Sequence, residues 1–274
     1  MAASPLVMGV VNVTPDSFSD GGRYLDAEQA IAHGRRLLGE GADILDIGGE
    51  STRPGATRPL LEEELDRVVP VIEALAADGA TVSVDTMRAE VAAAALEAGA
   101  RVVNDVSGGL ADPGILDVVA GSPATTYVAM HWRAHSDRMQ EFTTYDGPVA
   151  AVVAEELRAR VVAIRAAGIA DERIVLDPGL GFAKNGAQNW ALLARIGEIQ
   201  EIGFPVLVGA SRKRFLGQLL AGPDGALRPV EERELAHAAV LAALARAGVW
   251  GVRVHDVRAA RDVLTTIERL EAEG

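Results

Sequence analysis

Apolar residues recur along this chain in two alternating patterns. Short runs that end on a polar residue or a glycine are followed by longer stretches whose apolar positions fall three and four apart. The short runs read as buried strands: Leu6–Asn12, Ile44–Gly48, Val82–Asp85, Val102–Asp105, residues 127–131, Ile174–Asp177, residues 206–209 and Gly251–Val254. Leu61, Leu65, Val68, Val69, Ile72, Leu75 and Ala76 mark one face of a 3.6-residue period. Val149, Val152, Val153, Leu157, Val161 and Ile164 mark another. Residues 27–40, 88–98, 189–201, 231–247 and 259–271 read as further helices, and 115–120 as a short one. Gly41, Gly79, Gly99, Gly168, Gly203 and Gly248 each follow a helical stretch, where a left-handed closing residue is wanted.

Alternation of this kind implies parallel strands joined by crossover helices. Eight such units fit a single (β/α)8 TIM barrel spanning residues 1–274 better than a doubly wound open sheet, although periodicity alone does not show closure. The strand ends are polar without exception: Asn12, Gly48-Gly49-Glu50, Asp85, Asn104-Asp105, His131, Asp177, Ser211-Arg212-Lys213 and Arg253-Val254-His255. One Asp or Asn in such a place reads equally well as a helix cap. All eight together read as the active face of a barrel, at the carboxyl ends of its strands. The stretch 206–217 is the most telling. It delivers Ser211, Arg212, Lys213 and Arg214 from a strand end, an arrangement suited to an anion. The plainer alternative, a solvated helix start, conflicts with the helix dipole.

Composition narrows the function. A formal net charge of −13 argues against general nucleic-acid binding, so any cationic site must be local. The sequence has no cysteine, no apolar run long enough for a bilayer and no basic-then-apolar leader, and a cytoplasmic protein is expected. Two strand-to-helix connections, residues 13–26 and 49–61, exceed the usual length of about 2–6 residues and are expected to cover a ligand.

Seven ordered motifs give the chain a resemblance to dihydropteroate synthase, over essentially its whole length. They are Asn12-Val-Thr-Pro-Asp-Ser-Phe-Ser-Asp20, Gly48-Gly-Glu-Ser-Thr-Arg-Pro-Gly55, Ser83-Val-Asp-Thr86, Asn104-Asp-Val-Ser-Gly108, Asp177-Pro-Gly-Leu-Gly-Phe182, Gly209-Ala-Ser-Arg-Lys213 and Arg253-Val-His255. The resemblance implies condensation of hydroxymethyl-dihydropterin diphosphate with para-aminobenzoate, releasing diphosphate. It implies that Asp177 and Asn104 take the pterin edge, with Asp85 near the ring, Met130 and Phe182 flanking it, and Lys213 reaching it from the other side. By the same resemblance Gly209 and Ser211 are expected in the substrate site, Arg253 and His255 at the diphosphate, and Asn12 at Mg²⁺. Thr52, Arg53, Pro54, Phe18 and Ser19 are expected to wall the arylamine pocket. A homodimer formed through late outer helices is also implied. Arg214 stands where many relatives have Ser, so the resemblance gives it no role.

No nucleophile or general base is evident, and a neutral arylamine needs none. An electron-rich dihydropterin suits a dissociative substitution, with Asp85 facing the cation and Arg253, His255 and Mg²⁺ facing the leaving group. Two other readings stay open at this point: a pterin-binding methyltransferase domain and a non-catalytic pterin-binding paralogue.

Overall fold

The structure is a computed structural model that describes residues 4–13, 23–50, 58–135 and 137–273. Eight parallel strands form the barrel wall: β1 (Leu6–Asn12), β2 (Ile44–Gly48), β3 (Val82–Asp85), β4 (Val102–Asp105), β5 (Thr126–Met130), β6 (Ile174–Asp177), β7 (Leu207–Val208) and β8 (Gly251–Val254). They follow the order β6-β5-β4-β3-β2-β1-β8-β7. A parallel bridge between Leu176 and Val206, with Leu176 N–H donating to Pro205 O at 2.9 Å, joins the two ends of that order and closes the barrel. Ten helices surround it among the described residues: α1 (Arg23–Gly39), α2 (Leu61–Ala77), α3 (Ala89–Glu97), α4 (Gly114–Ala120), α5 (Val149–Ala166), α6 (Gly186–Ala194), α7 (Ile196–Gln200), α8 (Arg214–Leu219), α9 (Glu234–Arg246) and α10 (Val257–Ala272).

The strands are apolar runs because a barrel buries both faces of its sheet. Val7, Val11, Leu45, Ile47, Val82, Val84, Val103, Tyr127 and Ala129 pack outward in the large core shared with the helices. Met8, Ile44, Val102, Val128, Val175 and Leu207 point inward and plug the lower barrel. Side chains alternate along a strand. The inward face therefore meets, two residues later, Asp46, Asn104, Met130, Asp177 and Gly209. The same periodicity that builds the plug aims the polar residues into the barrel mouth.

The six glycines expected to close helices all have positive φ, from +67° at Gly248 to +108° at Gly99. Gly99 is doubly constrained, because a Cβ there would also stand 2.8 Å from Ala76 Cβ. Gly99→Ala should lower unfolding free energy by about 1–3 kcal/mol, from the left-handed backbone and the crowding together. Denaturant titration of the two proteins measures it.

The expected helix over 189–201 is two helices. Arg195, at φ −120° and ψ 31°, separates α6 from α7. Its N–H bonds back three residues to Leu192 O, tightening the last turn of α6, and both Ile196 and Ile199 beyond the break are buried. Helix α6 also begins earlier than expected, because Asn185 and Gln188 form a reciprocal capping box. Strand β5 starts and ends one residue before the expected span, and β7 keeps only the middle of 206–209.

Candidate active site

Barrel geometry brings the strand ends together, and ion pairs organise them. Arg253 of β8 reaches inward, its Nε donating to Asp46 Oδ2 at 2.6 Å and its Nη2 to Asp85 Oδ2 at 2.8 Å. Asn104 Nδ2 donates to the same Asp46 oxygen at 3.0 Å. A carboxylate only accepts, so this bond sets the Asn104 amide with Nδ2 toward Asp46 and leaves Oδ1 as its spare acceptor. Asp177 Oδ1 accepts from the N–H of Gly179 at 2.7 Å. Among the described residues nothing donates to its Oδ2. Two acceptors on β4 and β6 thus flank β5, where Met130 packs with Met87 and Val106, and Phe182 packs against them.

Charge in this site is set by burial and by neighbours. Burial, aided by the negative charges of Asp46, Glu50 and Glu64, pushes Asp85 up to about 7 against the pull of Arg253. Burial also raises Asp177, opposed by Lys213, the Gly179 N–H, Arg253 and Lys184. Lys213 is brought down to about 8 by burial, with Arg253 acting in the same direction and Asp177 opposing. Burial works against the charge of Arg253, but Asp46 and Asp85 outweigh it and hold the guanidinium above its ordinary value.

Lys213 caps the start of α8, and its ammonium donates to Leu180 O and stands 5.0 Å from the centre of the Phe182 ring. Arg212 and Arg214 on either side of it are exposed. The basic triplet therefore divides: one member turns into the site and two are solvated. Ser211 Oγ lies 3.0 Å from His255 Nδ1 and accepts from the His255 backbone N–H at 3.3 Å. Gly209 lies beside Arg253, where a Cβ would meet Arg253 Cβ at 3.6 Å. Asn12 ends β1 opposite Gly48, and its Oδ1 and Asp85 Oδ2 both border that glycine.

The structure thus brings Asp85, Asn104, Asp177, Lys213 and Arg253 together in one partly buried polar cluster, with Met130 and Phe182 on its apolar wall. Ser211 and His255 pair with each other on the neighbouring strand ends, and Asn12 and Asp85 both border Gly48. Phe18, Ser19, Thr52, Arg53 and Pro54 lie outside the described residues. At the base of the second long connection, Arg58 bonds Glu50 at 3.0 Å and Arg67 bonds Gly49 O at 2.9 Å. His131 is buried behind β5 rather than facing the mouth, bonded to Glu156 and Lys184. Two surface hollows lie elsewhere, one beside Trp190 and Gln218 and one beside Phe204 and Trp250, and neither contains a strand-end residue.

Asp46, which accepts from both Asn104 and Arg253, does not end a strand. Its signal was there, as the one ionisable residue in the apolar strand Ile44–Gly48, wholly buried. Asn12 offers one neutral oxygen, Asp85 Oδ2 is engaged by Arg253, and among the described residues no three His, Asp or Glu side chains converge on a cation position. This donor set cannot enclose a metal by itself. A Mg²⁺ held here would have to keep waters and take its remaining ligands from a substrate.

Known proteins resemble this chain throughout. The pterin binding enzyme family model matches residues 8–255. Dihydropteroate synthase of Mycobacterium leprae is 55% identical over 269 residues, covering 97% of this chain and 94% of the relative. A Xanthomonas albilineans dihydropteroate synthase with 4-aminobenzoic acid superposes with a TM-score of 0.89 at 47% identity, covering 98% of this chain and 94% of that one. The Xanthomonas albilineans dihydropteroate synthase in complex with 7,8-dihydropteroate gives 0.86 at 43%, covering 99% and 95%. The family match over residues 8–255 and relatives of this identity and coverage show that the chain belongs to the pterin-binding enzyme family, among its dihydropteroate synthases, and is a transferase.

Proposed function

We propose that the reaction is a dissociative substitution at the methylene carbon of hydroxymethyl-dihydropterin diphosphate, with para-aminobenzoate as the entering amine. The observation that carries this reading is the pair of spare acceptors, Asp177 Oδ2 and Asn104 Oδ1, in a buried mouth walled by Met130 and Phe182. A pterin edge presents amide-like donors that such acceptors satisfy. The relatives named with 4-aminobenzoic acid and with 7,8-dihydropteroate support the same substrate and product classes.

The carbon–oxygen bond breaks first, and diphosphate departs with the bonding pair. Asp85 faces the cation left on the pterin methylene, and Arg253 and His255 face the leaving oxygens. Lys213 reaches the ring from the far side, while Gly209 and Ser211 border the same space. The arylamine nitrogen then bonds to the carbon and releases a proton, so no base needs to act before the barrier. Thr52, Arg53, Pro54, Phe18 and Ser19 are assigned to the arylamine pocket by their motifs. Asn12 is the protein's ligand to Mg²⁺, which when bound supplies positive charge to the departing diphosphate. The chain works as a homodimer: Leu219 on α8, Leu235 on α9 and Leu270 on α10 are 61%, 88% and 57% exposed, which supports an interface through the late helices. A cytoplasmic setting agrees with the lack of cysteine, and among the described residues no helix is long and apolar enough to cross a membrane. The methyltransferase and non-catalytic readings have no specific observation in their favour.

Single-turnover kinetics with the pterin diphosphate, Mg²⁺ and ring-substituted arylamines of graded basicity test this. Dihydropteroate should form, at a rate nearly independent of amine basicity, because the amine enters after the barrier. No product would sink the activity, and a steep rise with basicity would replace the cation by direct displacement.

A further inference from the structure

Lys184 is almost wholly buried, at 3% exposure, which is rare for a lysine, and the reaction above gives it no task. Its surroundings are specific. The Nζ lies 2.9 Å from His131 Nδ1, 3.0 Å from Gly179 O and 3.1 Å from Phe182 O. His131 Nε2 lies 2.7 Å from Glu156 Oε2, and Arg133 grips the same carboxylate through both Nε and Nη2.

The proton positions follow from the far end of this chain of contacts. Burial works against the charge of Glu156, but the bonds from His131 and Arg133 prevail and hold its carboxyl at about 2. A carboxylate only accepts, so His131 Nε2 carries a hydrogen and donates. Burial, with the charge of Lys184, brings His131 down to about 4, so the ring is neutral and Nδ1 is an acceptor. Lys184 therefore faces three acceptors, two of them backbone carbonyls. Burial and the charge of Lys213 pull its pKa down, yet only the ammonium form has three hydrogens to give.

The two carbonyls belong to one turn, which runs from the end of β6 to α6. Its shape is exacting: Gly179 has φ +67°, and a Cβ there would stand 2.4 Å from His131 O. Asn189 Oδ1 accepts from the Gly181 N–H at 2.7 Å, and Tyr145 donates to Ala183 O at 3.0 Å. The turn also carries Phe182 and Leu180, whose carbonyl receives the Lys213 ammonium. One lysine thus grips the turn from the site and another grips it from behind.

We propose that Lys184 is a positioning residue for the pterin half of the site: it holds the turn 179–182 in the shape that presents the Phe182 ring and, through Leu180 O, places the Lys213 ammonium. The proposal rests on the pterin reading of this site. It differs from a purely structural role in one respect. Loss of Lys184 harms what the turn presents to the pterin and spares the Arg253 and His255 end, which is built on other strands.

The test is calorimetric titration of Lys184→Met with a pterin lacking diphosphate and, separately, with Mg²⁺–diphosphate, beside thermal unfolding of each protein. Pterin affinity should fall about tenfold or more, since two buried carbonyls and an imidazole lose their donor and the turn relaxes. Diphosphate affinity should stay within about twofold, because double effects are expected only where contacts are shared. Unchanged pterin affinity overturns the proposal, and so does a parallel loss of both affinities with stability. Should Lys184→Met fail to fold, His131→Leu removes only one of the three acceptors and should weaken pterin binding less, in the same direction. His131→Gln, whose amide offers an acceptor to Lys184 and a donor to Glu156, should restore it. Equal pterin affinity in His131→Leu and the unaltered protein likewise overturns the role. An unaltered protein that binds no pterin at all would instead remove the site reading on which the proposal stands.

Discussion

Arg253→Ala is expected to slow the chemical step by about a hundredfold, the usual scale for losing one preorganised electrostatic group. The arginine has two tasks in this geometry. In the proposed reaction it offers positive charge to the leaving diphosphate, and it lies between two carboxylates, the buried Asp46 and the partly buried Asp85, at 2.6 and 2.8 Å. Its removal leaves those carboxylates facing each other without a counter-charge. Asp85 already stands at about 7, with burial as the main cause and Arg253 as the force against it. Without Arg253 it rises further and is neutral at neutral pH, so the anion meant to face the pterin cation is lost as well.

The sign for stability follows from the same shift. A carboxyl whose folded pKa is raised from 3.8 to about 7 favours the folded state at low pH, and that contribution is lost as pH climbs through the interval. In Arg253→Ala the loss extends above neutrality, so the variant should be weakest against denaturant in mild alkali. Its rate should also recover partly at higher pH, as Asp85 ionises again. Single-turnover rates and unfolding titrations below and above neutrality measure both. A rate equal to that of the unaltered enzyme would take Arg253 out of the reaction.

Most of the fold was legible because parallel strands buried on both faces leave apolar runs, and the barrel puts a polar residue at the end of each. Six of the eight strands have the bounds read from the sequence, and the two exceptions have physical reasons. Strand β7 stops at Val208, before Gly209, where the chain turns toward Ser211, and β5 stops at Met130, its last residue paired with β6, although the His131 N–H still donates to Asp177 O at 2.8 Å. The break between α6 and α7 was hidden, since Leu192, Ile196 and Ile199 keep the four-then-three spacing of one continuous helix. Only the backbone at Arg195 shows it.

The site was less legible than the fold, for two reasons. Asp46 lies two residues inside its strand rather than at the rim, where the polar strand ends are. The barrel interior nonetheless uses it to orient Asn104 and Arg253 together. Lys184 gives no local signal at all. A lysine following Gly181-Phe182-Ala183 reads as a solvated loop residue, and only the fold brings His131 and two carbonyls around it. Spacing locates groups that end strands, whereas groups that support them from behind depend on packing between elements far apart in sequence.

Asp177→Asn should weaken pterin binding by about 1–3 kcal/mol, because it leaves a buried ligand donor unmatched. The substitution preserves shape, and its effect turns on which way the amide settles. Gly179 N–H donates to Oδ1 at 2.7 Å, and that bond persists only if the asparagine keeps its oxygen there. The NH2 group then takes the place of Oδ2 and points a donor at the donors of the pterin edge. Flipping the amide would rescue the ligand contact but set NH2 against the Gly179 N–H, so one mismatch remains in either orientation. The loss of charge adds to this. Lys213, Arg253 and Lys184 all act on the carboxylate, and without it three cations remain with less to balance them. Lys213, which Asp177 supports against burial, should then fall below about 8 and lose its proton nearer neutrality. The pterin affinity of the variant should therefore decline further as pH rises through that lowered value, whereas the unaltered protein holds its affinity up to about 8. Calorimetric titration across that range reads both effects, and an affinity equal to that of the unaltered protein would remove Asp177 from the pterin edge.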